Sequence, residues 1–172
     1  MEHGSKDLAA IGLGSNLGDR ENTLDRAFFE LSRIPGVELL AKSNLYETEP
    51  VDLPEQPYFL NAAALLSYSG SAQELLQGLL NLESHFGRVR LREKGERTLD
   101  LDLLFLGNQI HREPTLFLPH PRLHLRRFVL VPLAEIAPNW VHPIEKKSVS
   151  ELLAACPDTA SVVRYAPKQS EL

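Results

Sequence analysis

The sequence predicts a single α/β domain in which strands and amphipathic helices alternate. Short apolar runs that end at glycine, proline or polar residues are typical of strands, and apolar residues three or four positions apart are typical of helices. No internal repeat or low-complexity linker interrupts the 172 residues, so we expect one domain over residues 1–172. Residues 1–7 are predicted to form a disordered leader and residues 166–172 a frayed tail.

Composition and charge exclude several classes of protein. The hydrophobic fraction of 43% and the charged fraction of 24% are ordinary for a globular protein, whereas a net charge of −5 argues against a general nucleic-acid binder. The only cysteine, Cys156, can form neither an intrachain disulfide nor a cysteine metal site. Without a membrane-length apolar run or a signal peptide, we expect a monomeric cytoplasmic protein that binds small molecules.

The first half of the chain alternates between the two element types. Residues 24–34 have helical spacing, and Pro35 and Gly36 end that helix. Strands are predicted before and after it, at residues 8–13, 37–46 and 58–68.

Three glycines follow or interrupt the first strand. Gly12, Gly14 and Gly18 miss the dinucleotide-binding fingerprint by one residue, and no P-loop lysine follows them. We therefore favour a tight turn, in which glycines supply special backbone angles, over a nucleotide-binding loop.

A proline-rich segment and the strand after it form the first candidate binding region. Residues 46–57 are predicted to form a loop of unusual length. A binding loop or lid and a plain surface connection are equally compatible with that length. Phe59 and Asn61 share one face of the following strand. An aromatic side chain beside an amide suits a flat heterocycle, although such a pair alone is more often structural.

The second predicted helix has an acidic residue on its apolar face. Ser71 and Glu74 form a capping box at its start, and Gly87 ends it. Glu83 lies within the apolar face, where a carboxylate needs a charged or hydrogen-bonding partner. The arginines after the helix could supply that partner, or Glu83 could lie at the edge of the face and reach solvent.

The segment from residue 87 to residue 107 carries the strongest chemical signal. A basic run that includes Arg88, Arg90 and Arg97 leads into a strand in which Asp100 and Asp102 point to one face and leucines point to the other. Two carboxylates without nearby cysteine or histidine suit Mg²⁺, which also takes phosphate oxygens. A solvated edge strand beside a solvated loop is the alternative, but both features together favour a phosphoryl-transfer site.

The last third of the chain is predicted to be mainly helical. His120 lies between two prolines that stiffen its backbone. Helical turns are predicted over residues 123–138, and a last helix over residues 148–155.

Taken together, these motifs form a recognisable series. In chain order they are G-S-N-L-G-D (14–19), Y-E-T (46–48), F-L-N (59–61), Glu83 before G-R-V-R (87–90), R-T-L-D-L-D (97–102), P-H-P-R (119–122), Arg126 and F-V-L (128–130). The series closely resembles the 6-hydroxymethyl-7,8-dihydropterin pyrophosphokinase family of folate biosynthesis. The resemblance covers about residues 8–140 and is most specific at R-T-L-D-L-D-L-L and P-H-P-R.

The resemblance implies a fold and a reaction. The fold would be a ferredoxin-like α/β (α+β) sandwich, with a mainly antiparallel sheet and helices packed on it. The reaction would be transfer of the β,γ-pyrophosphoryl group of ATP to the hydroxymethyl oxygen of the reduced pterin, which releases AMP. Asp100 and Asp102 would hold two Mg²⁺ ions, and Arg88 and Arg97 would stabilise charge on the transferred group.

The resemblance also assigns two substrate-binding regions. The pterin would lie between Phe59 and Phe128, with its edge bound by Asn61 and by the backbone around Thr48 and Val51. The acceptor hydroxyl could lose its proton to Asp102 or through metal polarisation, and both remain open. The residues implied on the ATP side are Glu83, Arg88, Arg90, Arg97, His120 and Arg126.

Two alternative functions remain at this point. An ordinary kinase or nucleotidyltransferase would use the same phosphate site with a different acceptor and would yield a different nucleotide product. An RNA-binding module of the same fold would use Phe59 and the arginines, but carboxylates repel a nucleic-acid backbone and the net charge is negative.

Overall fold

The computed structural model describes residues 6–49, 58–87 and 98–166. The candidate residues Val51, Arg88, Arg90 and Arg97 lie outside this part of the chain. The helices are α1 (Arg20–Leu31), α2 (Ala72–His85), α3 (Arg127–Ile136) and α4 (Val149–Ala154). The strands are β1 (Asp7–Ser15), β2 (Val37–Lys42), β3 (Tyr46–Thr48), β4 (Phe59–Tyr68), β5 (Asp100–Leu106), β6 (His111–Glu113), β7 (Leu116–Leu118) and β8 (Val162–Arg164).

The main sheet is antiparallel and confirms the expected fold class. Its strand order is β5–β1–β4–β3–β8, and β2 pairs with β4 beside β3. Because β2 and β3 together occupy one position next to β4, the element order up to β5 is the β-α-β-β-α-β order of a ferredoxin-like fold. Strands β6 and β7 form a separate hairpin.

Helices cover both faces of the sheet. On one face, α1 and α2 pack through residues such as Leu24, Phe28 and Leu79 against the alternating side chains of β1, β4 and β5. On the other face, α3 and α4 pack through Leu130 and Leu152. The candidate side chains of the sheet described below lie on the face of α3, whereas Glu83 lies on the face of α1 and α2.

Local signals set the ends of the helices. Ser71 accepts a hydrogen bond from the Glu74 amide, and the Glu74 carboxylate accepts one from the Ser71 amide, so the predicted capping box is confirmed. Gly87 follows α2 with a φ of 64°, the left-handed conformation that ends helices.

Three details of the sheet differ from the sequence prediction. Residues 37–46 are not one strand, because β2 ends at Lys42 and the Ser43 hydroxyl accepts a hydrogen bond from the Ala63 amide, which interrupts the ladder before β3. The short strand β8 was not predicted. The strand β1 begins at Asp7, within the expected leader.

The glycines of the first motif are also placed differently. Gly12 and Gly14 lie inside β1 and not in a turn, so the turn interpretation is wrong for both. Of these three glycines, only Gly18, with a φ of 73°, has the predicted left-handed conformation.

Within residues 6–49, 58–87 and 98–166, no helix combines the length and apolar composition that crossing a membrane requires.

Candidate functional site

The two aspartates of β5 lie on one face of the sheet, as predicted. Leu99, Leu101 and Leu103 are buried in the core with α1 and α2, and Asp100 and Asp102 alternate with them on the face of α3. Their Cα atoms are about 7 Å apart by strand geometry. Both carboxylates therefore reach the same space.

A row of paired residues connects the aspartates to the pterin-side candidates. Asp100 pairs with Gly14, and Gly14 pairs with Asn61 on its other side. Directly paired residues on neighbouring strands share a face. Asn61 therefore lies on the same face as Asp100, two strands away, at roughly 10 Å.

Asn61 is joined to a second pterin-side candidate by a hydrogen bond. Its Nδ2 donates to Thr48 Oγ1 at 2.8 Å, and both residues are buried. Thr48 pairs with Phe59 in the β3–β4 ladder, so the Phe59 ring lies on this face as well. An amide, a hydroxyl and an aromatic ring thus occur together at one end of the sheet.

Helix α3 contributes the second aromatic ring of the predicted slot. Phe128, in the first turn of α3, packs against the core on this side of the sheet. The Arg126 guanidinium carbon lies 5.7 Å from the centre of the Phe128 ring, within cation–π distance. Arg126 is therefore adjacent to Phe128, at the start of the helix.

His120 is held between β5 and the arginines. Its amide donates to the Leu104 carbonyl at 2.9 Å, and its Nδ1 accepts from the Arg122 amide at 3.2 Å. Burial, reinforced by the positive charge of Arg126 and opposed by Asp100, lowers the pKa of His120 to about 4. The ring is therefore neutral near pH 7, and because Nδ1 is an acceptor, Nε2 carries the proton.

Glu83 lies beneath the aspartate strand. It is buried on α2, and its Oε2 accepts a hydrogen bond of 2.7 Å from the Leu101 amide. Leu101 is the residue between the two aspartates, so Glu83 fixes the backbone that carries them. This backbone amide is a partner that the sequence did not reveal, and an ATP-binding role for Glu83 stays a prediction.

Arg20 braces the two ends of the segment formed by residues 50–57. Its Nη1 contacts Glu47 Oε2 at 2.9 Å, before that segment, and donates to the Tyr58 carbonyl at 2.7 Å, after it. No sequence pattern indicated this role, because Arg20 lies in the first turn of α1 and belongs to no motif.

A large cleft elsewhere on the molecule is separate from this site. A cleft of about 640 Å³, lined partly by Asp7, Gly107 and Trp140, lies at the opposite ends of β1 and β5. Asp7 and Gly14 are about 24 Å apart along the strand. The cleft is therefore not continuous with the part of the sheet that carries Asp100 and Asp102, which is called the aspartate face below.

The aspartate face fits Mg²⁺ better than a transition metal. Among the described residues, no group of three or more histidine, cysteine, aspartate or glutamate side chains could form a metal site. Asp100 and Asp102 alone would supply two hard oxygen ligands. Mg²⁺ accepts such a set and completes its octahedron with water and phosphate oxygens, so these residues fit a metal that is bound together with a nucleotide.

Sequence comparisons identify similar proteins. A sequence model described as 7,8-dihydro-6-hydroxymethylpterin-pyrophosphokinase (HPPK) matches residues 10–138. The 2-amino-4-hydroxy-6-hydroxymethyldihydropteridine pyrophosphokinase of Synechocystis sp. is 43% identical over 152 residues, which cover 88% of this chain and 77% of that protein. The protein of the same name from Pseudomonas aeruginosa is 40% identical over 147 residues, which cover 86% of this chain and 90% of that protein.

Structural comparisons support the fold. A Plasmodium falciparum HPPK-DHPS triple mutant with pteroate superimposes with a TM-score of 0.70 at 14% identity, over 89% of this chain and 44% of that one. An HPPK-DHPS in complex with substrates gives a TM-score of 0.68 at 12% identity, over 88% and 43%. This chain thus spans less than half the length of those two solved chains, and at such low identity the match concerns the fold alone.

Proposed function

This chain belongs to the 7,8-dihydro-6-hydroxymethylpterin-pyrophosphokinase family, and from that premise we propose how its residues divide the work of the reaction. Proteins of this family transfer the pyrophosphoryl group of ATP to 6-hydroxymethyl-7,8-dihydropterin, a step of folate biosynthesis, and this chain does the same. What we propose is the role of each candidate residue, the metal ions, and the arrangement of the pterin side and the phosphate side.

One observation carries the division of roles: the aspartates and the Asn61–Thr48 pair lie on one face of the sheet, with Asn61 two strands from the aspartates. A metal-bound triphosphate at Asp100 and Asp102 would therefore be adjacent to a heterocycle whose edge binds Asn61. Phosphoryl transfer depends mainly on such positioning and on charge stabilisation. The separation of roughly 10 Å suits a pterin ring at one end and its hydroxymethyl group directed toward the phosphates.

The pterin side is proposed as a slot between two aromatic rings. Phe59 of β4 and Phe128 of α3 would stack on the two faces of the pterin. Asn61 and the backbone near Thr48 and Val51 would bind its amide-like edge, because both donors and acceptors are available there.

The phosphate side is proposed to consist of the two aspartates, His120 and the candidate arginines. Asp100 and Asp102 would hold two Mg²⁺ ions, which when bound would offset the charge of the triphosphate. Neutral His120 would donate from Nε2 to a phosphate or ribose oxygen, and Arg126 would contact the phosphates. On sequence grounds, the proposed phosphate side also includes Arg88, Arg90 and Arg97. Arg88 and Arg97 would stabilise charge on the transferred group.

The product nucleotide tests the reaction itself. Purified protein is incubated with Mg²⁺, ATP and 6-hydroxymethyl-7,8-dihydropterin, and the products are separated by ion-exchange chromatography. We expect AMP and the pterin diphosphate in equal amounts, and no AMP when the pterin is omitted. Formation of ADP would indicate an ordinary kinase and would contradict pyrophosphoryl transfer.

A further inference from the structure

Helix α3 carries two relevant side chains on the same face, one near each end. Phe128 and Glu135 are seven positions apart, which is about two helical turns and a distance of about 10 Å along the axis. Phe128 is the proposed wall of the pterin slot. A contact that holds Glu135 therefore also affects the position of the Phe128 ring.

Glu135 binds the segment that leads into β3. Its Oε1 accepts hydrogen bonds from the Asn44 amide at 3.0 Å and from the Tyr46 hydroxyl at 2.7 Å, and its Oε2 accepts one from Asn44 Nδ2 at 2.9 Å. Asn44 Oδ1 in turn accepts a bond from Arg164 of β8 at 3.1 Å. One carboxylate of α3 thus holds the segment before β3, which is itself linked to β8.

The strand that Glu135 holds carries the other side of the slot. Tyr46 and Thr48 are the two ends of the three-residue strand β3, so they share a face. Thr48 accepts the hydrogen bond from Asn61 that orients the Asn61 amide. The position of β3 relative to α3 therefore sets the distance between Phe128 and the Asn61–Thr48 pair.

Helix α3 depends on such external anchors. Pro132 lies inside the helix and has no N–H to donate to the Phe128 carbonyl, so the turn that carries Phe128 lacks one internal hydrogen bond. At the start of α3, Asp158 accepts a bond from the Arg127 amide at 3.0 Å. Glu135 provides the corresponding anchor near the end.

We propose that Glu135 is a positioning residue that sets the width of the pterin slot by joining α3 to β3. The inference rests on the proposed function, because the slot between Phe59 and Phe128 is part of that proposal. Glu135 is solvent-exposed, and exposed polar contacts contribute little to global stability. Its loss should therefore change substrate binding more than the melting temperature.

Steady-state kinetics with each substrate varied separately tests the proposal. In E135A and E135Q we expect the KM for the pterin to rise about 5- to 10-fold while the KM for ATP stays within about 2-fold, since the change concerns uniform binding of one substrate. E135D retains the carboxylate and should recover part of the loss. Y46F removes only the bond from the Tyr46 hydroxyl and leaves those from Asn44, so it should give a smaller rise than E135A.

Glu151 offers a matched control. It forms the capping box of α4 with Ser148, so E151Q also weakens hydrogen bonds of an exposed glutamate, but at a helix without a proposed binding residue. We expect E151Q to leave both KM values unchanged. A comparable rise in pterin KM in E151Q, or equal rises for both substrates in E135Q, would overturn the inference.

The ionisation of Tyr46 gives an independent readout. Burial, the hydrogen bond to Glu135 and the charge of Glu135 together raise the pKa of Tyr46 to about 12. Absorbance titration of tyrosinate, with Y46F to identify the signal, should therefore detect a lower pKa in E135Q. An unchanged Tyr46 titration would show that the contact is not made in solution and would overturn the proposal.

Different results would contradict the proposed function and the positioning role of Glu135. If the wild-type protein forms no AMP with the pterin, the proposed function fails. If the wild-type protein forms AMP and E135A, E135Q and Y46F all keep the wild-type KM for the pterin, only the positioning role fails. Because E135Q and Y46F preserve side-chain volume, they remain informative even if E135A folds poorly.

Discussion

The Asn61 side chain lies directly over Gly14, so closely that a Cβ atom added to Gly14 would be 2.9 Å from Asn61 Oδ1. The next two atoms within reach, a backbone oxygen of Leu60 and a ring carbon of Phe59, are both at 3.8 Å. A side chain at Gly14 would therefore displace the Asn61 amide first. The glycine thus provides space for the Asn61 side chain and does not form a turn.

We expect G14A to weaken pterin binding selectively. Displacement of Asn61 should break its hydrogen bond to Thr48 and raise the KM for the pterin about 10-fold, with a change of no more than about 2-fold in the KM for ATP. Separate measurement of the two KM values checks this.

Gly12 is a control for G14A on the same strand and face. A Cβ at Gly12 would make only ordinary contact with Leu104, at 3.5 Å. G12A should therefore keep a pterin KM near that of the wild type. Equal effects of G12A and G14A would mean that the strand tolerates no side chain there, and the assignment to Asn61 would be wrong.

Local patterns in the sequence predicted one half of the site better than the other. The alternation of leucine and aspartate placed Asp100 and Asp102 on one face, because strand periodicity is a property of neighbouring residues. The contact of Gly14 with Asn61 and that of Glu135 with Asn44 join residues 47 and 91 positions apart. No local pattern encodes such contacts, since they depend on the strand order and on how α3 packs on the sheet.

The differences between the predicted and the observed fold also arise from contacts between distant residues. Both capping boxes are confined to four residues, and each begins a helix in the structure. The end of β2 depends instead on the bond between Ser43 and Ala63, 20 positions away. The strand β8 is only three residues long and pairs with β3, so its apolar pattern was too short to predict.

We expect substitution of the aspartate pair to abolish turnover without unfolding the protein. D100N and D102N each remove a charged oxygen ligand while keeping side-chain volume, so Mg²⁺-dependent binding of an ATP analogue should be lost by at least about 10-fold, and AMP formation by about 1,000-fold. Both residues are only partly buried, so the melting temperature should change little. Titration calorimetry with and without Mg²⁺ measures the binding loss, and a double variant that still forms AMP would refute the metal assignment.

Substitution of Glu83 should affect stability first. In E83A the buried Leu101 amide loses its 2.7 Å hydrogen bond, and an unsatisfied buried amide lowers the free energy of unfolding by about 2 kcal/mol. E83Q keeps an acceptor oxygen and should lose less. Urea denaturation of the two variants distinguishes them, and equal losses would show that the Leu101 bond is not the important interaction.

The loss of Glu83 should also reach the aspartates. Leu101 lies between Asp100 and Asp102, so movement of its backbone displaces both carboxylates. We expect kcat to fall in E83A by about 10-fold or more, because small displacements of the proposed metal-binding pair would be costly in phosphoryl transfer. Wild-type kcat in a folded E83A protein would contradict this coupling.

His120 should make the stability of the ligand-free protein depend on pH. Because burial lowers the pKa of His120 from 6.5 to about 4 in the folded state, the unfolded chain binds the proton first as the pH falls. Its contribution to the free energy of unfolding is therefore fully present above pH 6.5 and is lost progressively as the pH falls toward 4. Burial also lowers the pKa of His142, so the two histidines act in the same direction.

In H120Q, which has no imidazole at position 120, the fall in stability between neutral pH and pH 4.5 should be smaller than in the wild type. It should not vanish, because His142 remains. Denaturation at several pH values measures the pH dependence of stability in both proteins. Mg²⁺ and nucleotide are left out, since bound metal would add its own charge to the site. An identical pH dependence in the two proteins would show that His120 is not desolvated as the structure indicates.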